Sequence, residues 1–458
     1  MTDTFIPYLA VALFVISNAI IFYSFKTPSD NDSYFIGGRN ADWRYIALSI
    51  GATGFWANSV FFITKFSNTG GVASGIIFAF SMVIPVFLMG IAGYYVASHS
   101  DYKKFYNMDD YVKAKTGSRY LAGIFAFIYV LATIYTLTAN VTALGVIAEF
   151  FPAMNYTIAT AIIIATIALY TMRGGFKATV RTDILQLFFL LMGGLITGLL
   201  VTNNMSSLSE VIAKVGETKP FQFITTTNIR DIFLTLLIII SSSAFCDNGL
   251  YQRVFALGNR KNVLKAFGVG CTLYLIAVLG FGILAWAAIA NGVEDKTIYG
   301  LMENVKNNGG AILLVMFVTG LLSVSASTMD SSLHSVGSII GSKFKDNDKQ
   351  RTVAKIAIAS FCVIAYALVQ LKIDLWILLV TFGAVRLSLV VPTVYIILNK
   401  IDLEWRVIAS SIALSLITNI FLQTQGLLNF YVIASSAAAP LLILIPYKLY
   451  QIQNRKNK

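Results

Sequence analysis

Apolar runs of membrane-spanning length recur along the whole chain, divided by short polar stretches. In order they fall at about 5–25, 43–66, 73–97, 118–149, 153–172, 182–202, 230–252, 262–290, 310–341, 351–371, 373–399, 404–423 and 427–449. An α-helix needs about 20 apolar residues to cross the hydrocarbon core. The pattern therefore predicts an all-α polytopic membrane protein with thirteen transmembrane helices. The first run, Ile6–Phe25, is long enough to span and lacks a basic leader and a small-residue cleavage site. It reads as a first helix rather than a removable signal.

One run departs from the apolar pattern. Gly320–Gly341, GLLSVSASTMDSSLHSVGSIIG, carries Ser323, Ser325, Ser327, Thr328, Ser331 and Ser332 with the carboxylate Asp330. Such groups are costly at membrane depth unless they face protein, water or an ion. Two readings are open. Closely spaced hydroxyls beside freed backbone carbonyls suit a hard cation such as Na+. Small residues also let helices pack closely, each hydroxyl bonding back to its own turn.

Composition agrees with the pattern: 57% of residues are hydrophobic and only 12% charged, with mean hydropathy +0.74. These values exclude an ordinary soluble domain. The formal charge of +12 would suit nucleic acid, but the basic residues sit in alternate loops. They collect at Lys103, Lys104, Lys113 and Lys115, at Arg173, Lys177 and Arg181, and at Arg253, Arg260, Lys261 and Lys265. They recur at Lys343, Lys345, Lys349 and Arg351, at Lys400 and Arg406, and in the tail from Lys448 to Lys458. Alternate basic loops are cytoplasmic loops. With an odd number of spans, the N-terminus lies outside and the C-terminus in the cytoplasm. The expected partner is the lipid bilayer of a cell membrane, with no nucleic acid. Cys246, Cys271 and Cys362 fall in apolar runs without CxxC spacing and read as packing residues.

Two runs are interrupted at corresponding places. The run from Trp43 holds Ser49, Gly51, Thr53, Gly54 and Asn58; the run beginning near 230 holds Ser241, Ser242 and Ser243, then Cys246, Asp247, Asn248 and Gly249. Each opens a block of five helices, 43–202 and 230–399. Paired blocks that open on an interrupted helix are the pattern of an inverted-repeat transporter with its site at the breaks. The remainder divides into 1–42, a leading helix and cytoplasmic loop, 203–229, an extracellular loop, and 400–458, two closing helices and a short tail.

Four stretches carry a resemblance. RGGFKATVRTDILQ, Arg173–Gln186, resembles the signature of the sodium/solute symporter family, where a Gly-Gly turn leads into a Thr-Asp-x-x-Gln helix. FIGGRNADWRYIALSIGAT, Phe35–Thr53, looks like the approach to that family's first broken helix. Gln252-Arg253 resembles the Gln-Arg that closes its sixth core helix, and Ser327-Thr328-Met329-Asp330-Ser331 its Ser-Thr-x-Asp-Ser motif. The resemblance covers about Phe35 to Lys400. It implies a LeuT-type 5+5 inverted repeat with one extra N-terminal and two extra C-terminal helices. It also implies inward symport of a small organic solute with Na+, with a single chain as the transport unit. Carried over by motif position, the main sodium site would comprise the carbonyls of Ala52, Phe55 and Val324 and the hydroxyls of Ser327 and Thr328. Some members hold a second sodium with the Thr-Asp aspartate, here Asp183 with Ser327 and Thr328. Asp183 also reads as an ordinary cap at a helix start.

Departures from the family bear on the substrate. Thr64-Lys65-Phe66 stands where small residues are usual. Ser243 stands where sugar carriers place an aromatic gate, the nearest aromatic being Phe245, and Arg386 interrupts VTFGAVRLSLVVP. A cation at membrane depth needs a counter-charge or a function. Lys65 and Arg386 would suit a carboxylate substrate ahead of a sugar or polyol. Alternatively Lys65 snorkels to the outer interface and Arg386 pairs with Asp247 or Asp330. The expected pocket is Asn58, Ser59, Phe62, Lys65, Ser241, Ser242, Ser243, Phe245 and Arg386. No HExxH, GxSxG or CxxC constellation occurs, so an enzyme is not expected. A channel or sensor on the same fold, or a proton-coupled symporter, is the rival.

Overall fold

The computed structural model describes residues 2–24, 27–151, 154–220, 244–293, 297–371, 375–399, 404–425 and 430–456. Among these residues the chain is all-helical, with no strand. The helices are α1 (Thr2–Ser24), α2 (Asn31–Ile36), α3 (Trp43–Thr53), α4 (Ala57–Val96), α5 (Met108–Thr116) and α6 (Arg119–Phe150). They continue with α7 (Tyr156–Leu191), α8 (Thr197–Met205), α9 (Leu208–Thr218), α10 (Asn248–Ala256), α11 (Arg260–Ala290) and α12 (Ile298–Gly341). The last are α13 (Asn347–Gln370), α14 (Leu375–Leu398), α15 (Trp405–Thr424), α16 (Phe430–Ala438) and α17 (Leu441–Lys456).

Local chemistry explains where several of them start. Asp42, Asn155, Asp247 and Asp346 each accept a backbone N–H in the first turn of α3, α7, α10 and α13. Such side-chain caps satisfy amides that the helix itself leaves open.

Among the described residues, eight helices are long and apolar enough to cross a membrane. The difference from the thirteen expected runs has several sources. Part of the run at 230–252 lies outside the described residues. Elsewhere two expected spans follow one another as separate helices joined directly at glycine and so count once: Thr157–Met205 covers 49 residues and Ser59–Val96 covers 38. The bends fall at Gly175 (φ 55°) and at Gly70–Gly71. The basic stretch Arg173–Arg181 is therefore a sharp kink rather than a loop, and Asp183 lies inside a helix two turns beyond it. Its expected role as a helix cap is corrected by this position. Likewise α12 begins at Ile298, bends at Gly310 (φ 73°), and only then enters the predicted span. The expected last span is divided between α16 and α17.

Without a hydrophobic drive between helices in lipid, close backbone approach and polar contacts hold the bundle. A π-turn at Met192–Ile196 separates α7 from α8. There a Cβ on Gly193 would stand 2.9 Å from the Gly320 Cα and 2.7 Å from the Met316 carbonyl oxygen, so only glycine permits α12 to lie this close. On the other side α11 packs along α3 and α4, pinned where Trp286 Nε1 donates to Ser67 Oγ at 3.1 Å. These contacts bring the ends of α3 and α10 against the middle of α12.

Candidate functional site

Helix α3 stops at Thr53 with Gly54 as its cap, and Phe55–Trp56 cross to α4 outside the α-helical ladder. Short local bonds close the break: Gly54 N donates to Ile50 O at 2.9 Å, Phe55 N to Ala52 O at 3.2 Å, and Ser59 N to Trp56 O at 2.8 Å. Asn140 of α6 accepts the Ala57 amide at 3.4 Å. The Phe55 carbonyl is left for tertiary contacts, as expected of an interrupted membrane helix.

α12 supplies the facing groups. Thr328 Oγ1 lies 3.1 Å from the Phe55 carbonyl oxygen and 3.4 Å from that of Val324. Ser327 Oγ donates to Thr53 Oγ1 at 3.3 Å. Ala52, Phe55, Val324, Ser327 and Thr328 are all fully buried. The structure thus brings these five residues together, although Ala52 O already accepts one amide and Ser327 turns toward Thr53. Their oxygens are neutral and hard, and such donors suit an alkali cation better than a transition metal.

Beneath this cluster lies a charged network that sequence reasoning missed. Arg253, 1% exposed, donates Nε to Ser49 Oγ at 2.8 Å and Nη1 to Gly249 O at 3.0 Å. Its Nη2 reaches Thr53 Oγ1 at 2.7 Å, and Ser331 Oγ and Asp183 Oδ2 at 2.8 Å each. Ser49 Oγ also donates to Asp183. The Asp183 charge is therefore met by a guanidinium in a fully buried ion pair. Asp330 stands on the far side, accepting from Tyr170 OH at 2.7 Å, Thr182 Oγ1 at 3.0 Å and Ser331 Oγ at 3.1 Å. The Gln-Arg pair was the available signal, but nothing local says which acid Arg253 meets.

The second break is the turn Cys246–Asp247 ahead of α10. Asp247 spends one oxygen on the Leu250 amide at 3.1 Å. Arg386 of α14 is buried nearby; Nη2 donates to Ala132 O at 2.7 Å and to Thr136, and Cys246 Sγ donates to its carbonyl at 3.0 Å. Its guanidinium lies 5.2 Å from the Trp56 ring centre and 5.0 Å from that of Tyr135. Arg386 and Asp247 line one small cavity of about 10 Å³. Asp247 also lines a second, of about 30 Å³, with Thr53, Gly54, Trp56 and Tyr274. Each has room for about one or two waters, so a solute enters only when helices move apart. Asp330, the other acid considered for Arg386, takes its hydrogen bonds from Tyr170, Thr182 and Ser331 instead.

The remaining pocket residues divide. Ser59 is buried beside the break, Phe62 is half-buried 6.4 Å from Phe78, and Phe245 is buried at the second break. Asn58 falls in the first turn of α4, and its side chain lies outside the described residues, as do Ser241, Ser242 and Ser243. Lys65 is exposed on α4 and lines neither cavity. Its placement in the pocket is corrected: a long cationic side chain near a membrane-helix end carries its charge outward.

The sequence model of the Sodium:solute symporter family matches residues 34–399. The chain belongs to this family. Among curated proteins it is similar to the sodium/pantothenate symporter of Haemophilus influenzae, 23% identical over 354 residues that cover 73% of this chain and 70% of the relative. Among solved structures it resembles a Na+-coupled sialic acid symporter in a substrate-bound outward-open state. That match has a TM-score of 0.79 at 15% identity and covers 97% of this chain and 96% of the other. It also resembles MhsT in complex with L-phenylalanine, with a TM-score of 0.57 at 12% identity, covering 89% and 98%. The fold is the LeuT type, and the chain is a membrane transporter rather than an enzyme. It couples a small solute to sodium.

Proposed function

We propose that the chain carries a small organic carboxylate inward with Na+ by alternating access between repeats 43–202 and 230–399. The observation that carries the ion half is the approach of the Thr328 hydroxyl to the Phe55 carbonyl across the first break, at 3.1 Å. Sodium entering there takes the carbonyls of Ala52, Phe55 and Val324 and the hydroxyls of Ser327 and Thr328, with the hydroxyl protons turning away. The ion then bridges the break after α3 to α12. Asp183 is assigned to Arg253, because a second sodium against it would have to share the carboxylate with a guanidinium already 2.8 Å away.

Arg386 supports the substrate half. A guanidinium at membrane depth, held between Trp56 and Tyr135 beside the gap between the two breaks, gives a carboxylate a fixed planar partner. Two of the relatives are named for acids, pantothenate and sialic acid. One Na+ crossing 100 mV contributes about 2.3 kcal/mol, enough to accumulate a solute about 50-fold. The basic-loop pattern supports a cytoplasmic C-terminus.

The test is thermal unfolding of the purified chain in Na+ and in K+ against sugars, polyols, amino acids and small carboxylates. Binding to the folded state raises its apparent stability. Stabilisation by carboxylates in Na+ alone is the expected result. Stabilisation by sugars, with carboxylates inert, overturns the substrate class, and equal responses in Na+ and K+ overturn the ion site.

A further inference from the structure

A groove of about 720 Å³ lies away from both helix breaks, between α3 and the part of α7 that follows its kink. On α7 the wall is formed by Lys177, Arg181, Ile184 and Phe188, which repeat at four, three and four residues and so share one face. Tyr45 and Ile46 of α3 form the facing wall. Phe188 is 55% exposed and Tyr45 57% exposed, which places the groove on the outer, lipid-facing side of the bundle. The face is graded: cations occupy the end nearest the kink and aromatic and aliphatic side chains the other.

The dimensions fit one molecule of lipid in one leaflet. From Lys177 to Phe188 is eleven residues, about 17 Å of helix, close to half of an approximately 30 Å hydrocarbon core. Lys177 Nζ donates to the Ser33 hydroxyl at 3.4 Å, and Asp30 feels its charge from the α2 cap. Arg181 stands one turn further along the same face. The carboxylate in the groove, Asp42, is engaged as the cap of α3, accepting the Arg44 amide at 2.9 Å. With Lys177 and Arg181 against the single carboxylate Asp42, the lining carries a net positive charge at the mouth over an apolar floor.

We propose that this groove holds an anionic phospholipid, its phosphate at Lys177 and Arg181 and one acyl chain along Ile184 and Phe188. The same two helices carry Ser49, Thr53 and Asp183 on their inner faces, so an occupied groove braces the pair that frames the ion cluster.

The experiment titrates the full chain, purified in an uncharged detergent, with dioleoylphosphatidylglycerol and with dioleoylphosphatidylcholine. Thermal unfolding and native mass spectrometry are the readouts. The anionic lipid is expected to bind at least about tenfold more tightly, as two basic contacts at an anionic surface imply. Lys177→Gln with Arg181→Gln removes that preference; both residues are exposed, so unfolding without lipid stays near the parent value. Ile184→Trp, which fills the floor, weakens both lipids. Equal affinity for the two lipids, or a preference that survives the double substitution, overturns the site. Full stabilisation by glycerol 3-phosphate alone shows a headgroup site without an acyl groove and also overturns it.

Discussion

The two helix breaks differ in the chemistry they present. At the first, Gly54–Trp56, the groups offered across the gap are neutral oxygens: the Phe55 and Val324 carbonyls and the Thr328 hydroxyl. At the second, Cys246–Asp247, the gap is bordered by formal charges, Asp247 and Arg386, with Trp56 and Tyr135 flanking the guanidinium. Neutral oxygens hold a small dehydrated cation without fixing its charge in the empty protein. A buried guanidinium instead imposes a standing cost, offset only when an anion or a full set of acceptors meets it. In the proposed reading the first break can therefore empty at little penalty, while at the second an entering acid would share Arg386 with Asp247, which lines the same cavity. Between the two lies the Arg253–Asp183 pair, which belongs to neither and holds α3, α7 and α10 together.

Substitutions separate these roles. Changing Ser327 and Thr328 together to Ala removes two of the five proposed ion oxygens. At about 1.5–3 kcal/mol per contact to a charge, sodium affinity falls by roughly two to four powers of ten, while stability in K+ drops only by the two lost hydrogen bonds, about 1–3 kcal/mol. A sodium-dependent thermal shift that persists in this variant removes the ion from the first break.

The network between the breaks predicts the next largest effect, on stability rather than binding. Arg253→Met strands the Asp183 carboxylate and costs about 3–5 kcal/mol, as breaking a buried pair does. Adding Asp183→Leu restores most of the loss. Additive losses in a denaturation cycle would show that the two charges act independently.

For the second break, Arg386→Gln is expected to weaken carboxylate binding by about 30-fold or more, since truncating one partner of a buried charge pair costs 2–5 kcal/mol. The sodium response remains. Arg386→Lys rescues little, because an ammonium cannot reproduce a planar fork. Loss of the sodium response together with the carboxylate would merge the two breaks into one site.

The smallest effect lies away from both. In α5, Asp109 is pushed up to about 6 by burial and then by Asp110, against the pull of Lys343, which pairs with both acids. The folded carboxyl holds its proton above the ordinary value of 3.8. The contribution of Asp109 to stability is therefore full below about pH 4 and declines as pH rises through 6. Asp109→Asn flattens that slope, read from unfolding temperatures at pH 4.5 and 7. An unchanged slope means that other groups set it.

Much of the site was legible in the chain. Gly and polar residues inside otherwise apolar runs marked both breaks, and Ser327-Thr328 marked the helix facing the first. The assignments that failed depended on direction or on distant partners. Lys65 shares a helix with the pocket residues yet points outward, and Asp183 looked like a helix cap because the glycine kink at Gly175 reads as a loop. Arg253 and Asp183 are 70 residues apart, and no local pattern links them.

The sequence by itself determined the membrane class, the polar interruptions of the apolar runs and the family. Each of these follows from short-range terms: the length of an apolar run, the backbone freedom of glycine, and the cost of a hydroxyl or charge in hydrocarbon. Only the tertiary structure decided which buried charge meets which. Arg253 could have answered Asp183, Asp247 or Asp330, and Arg386 could have faced Asp247 or Asp330. Coulomb and hydrogen-bond energies change over a few ångströms, and separations that small are fixed by how the helices pack.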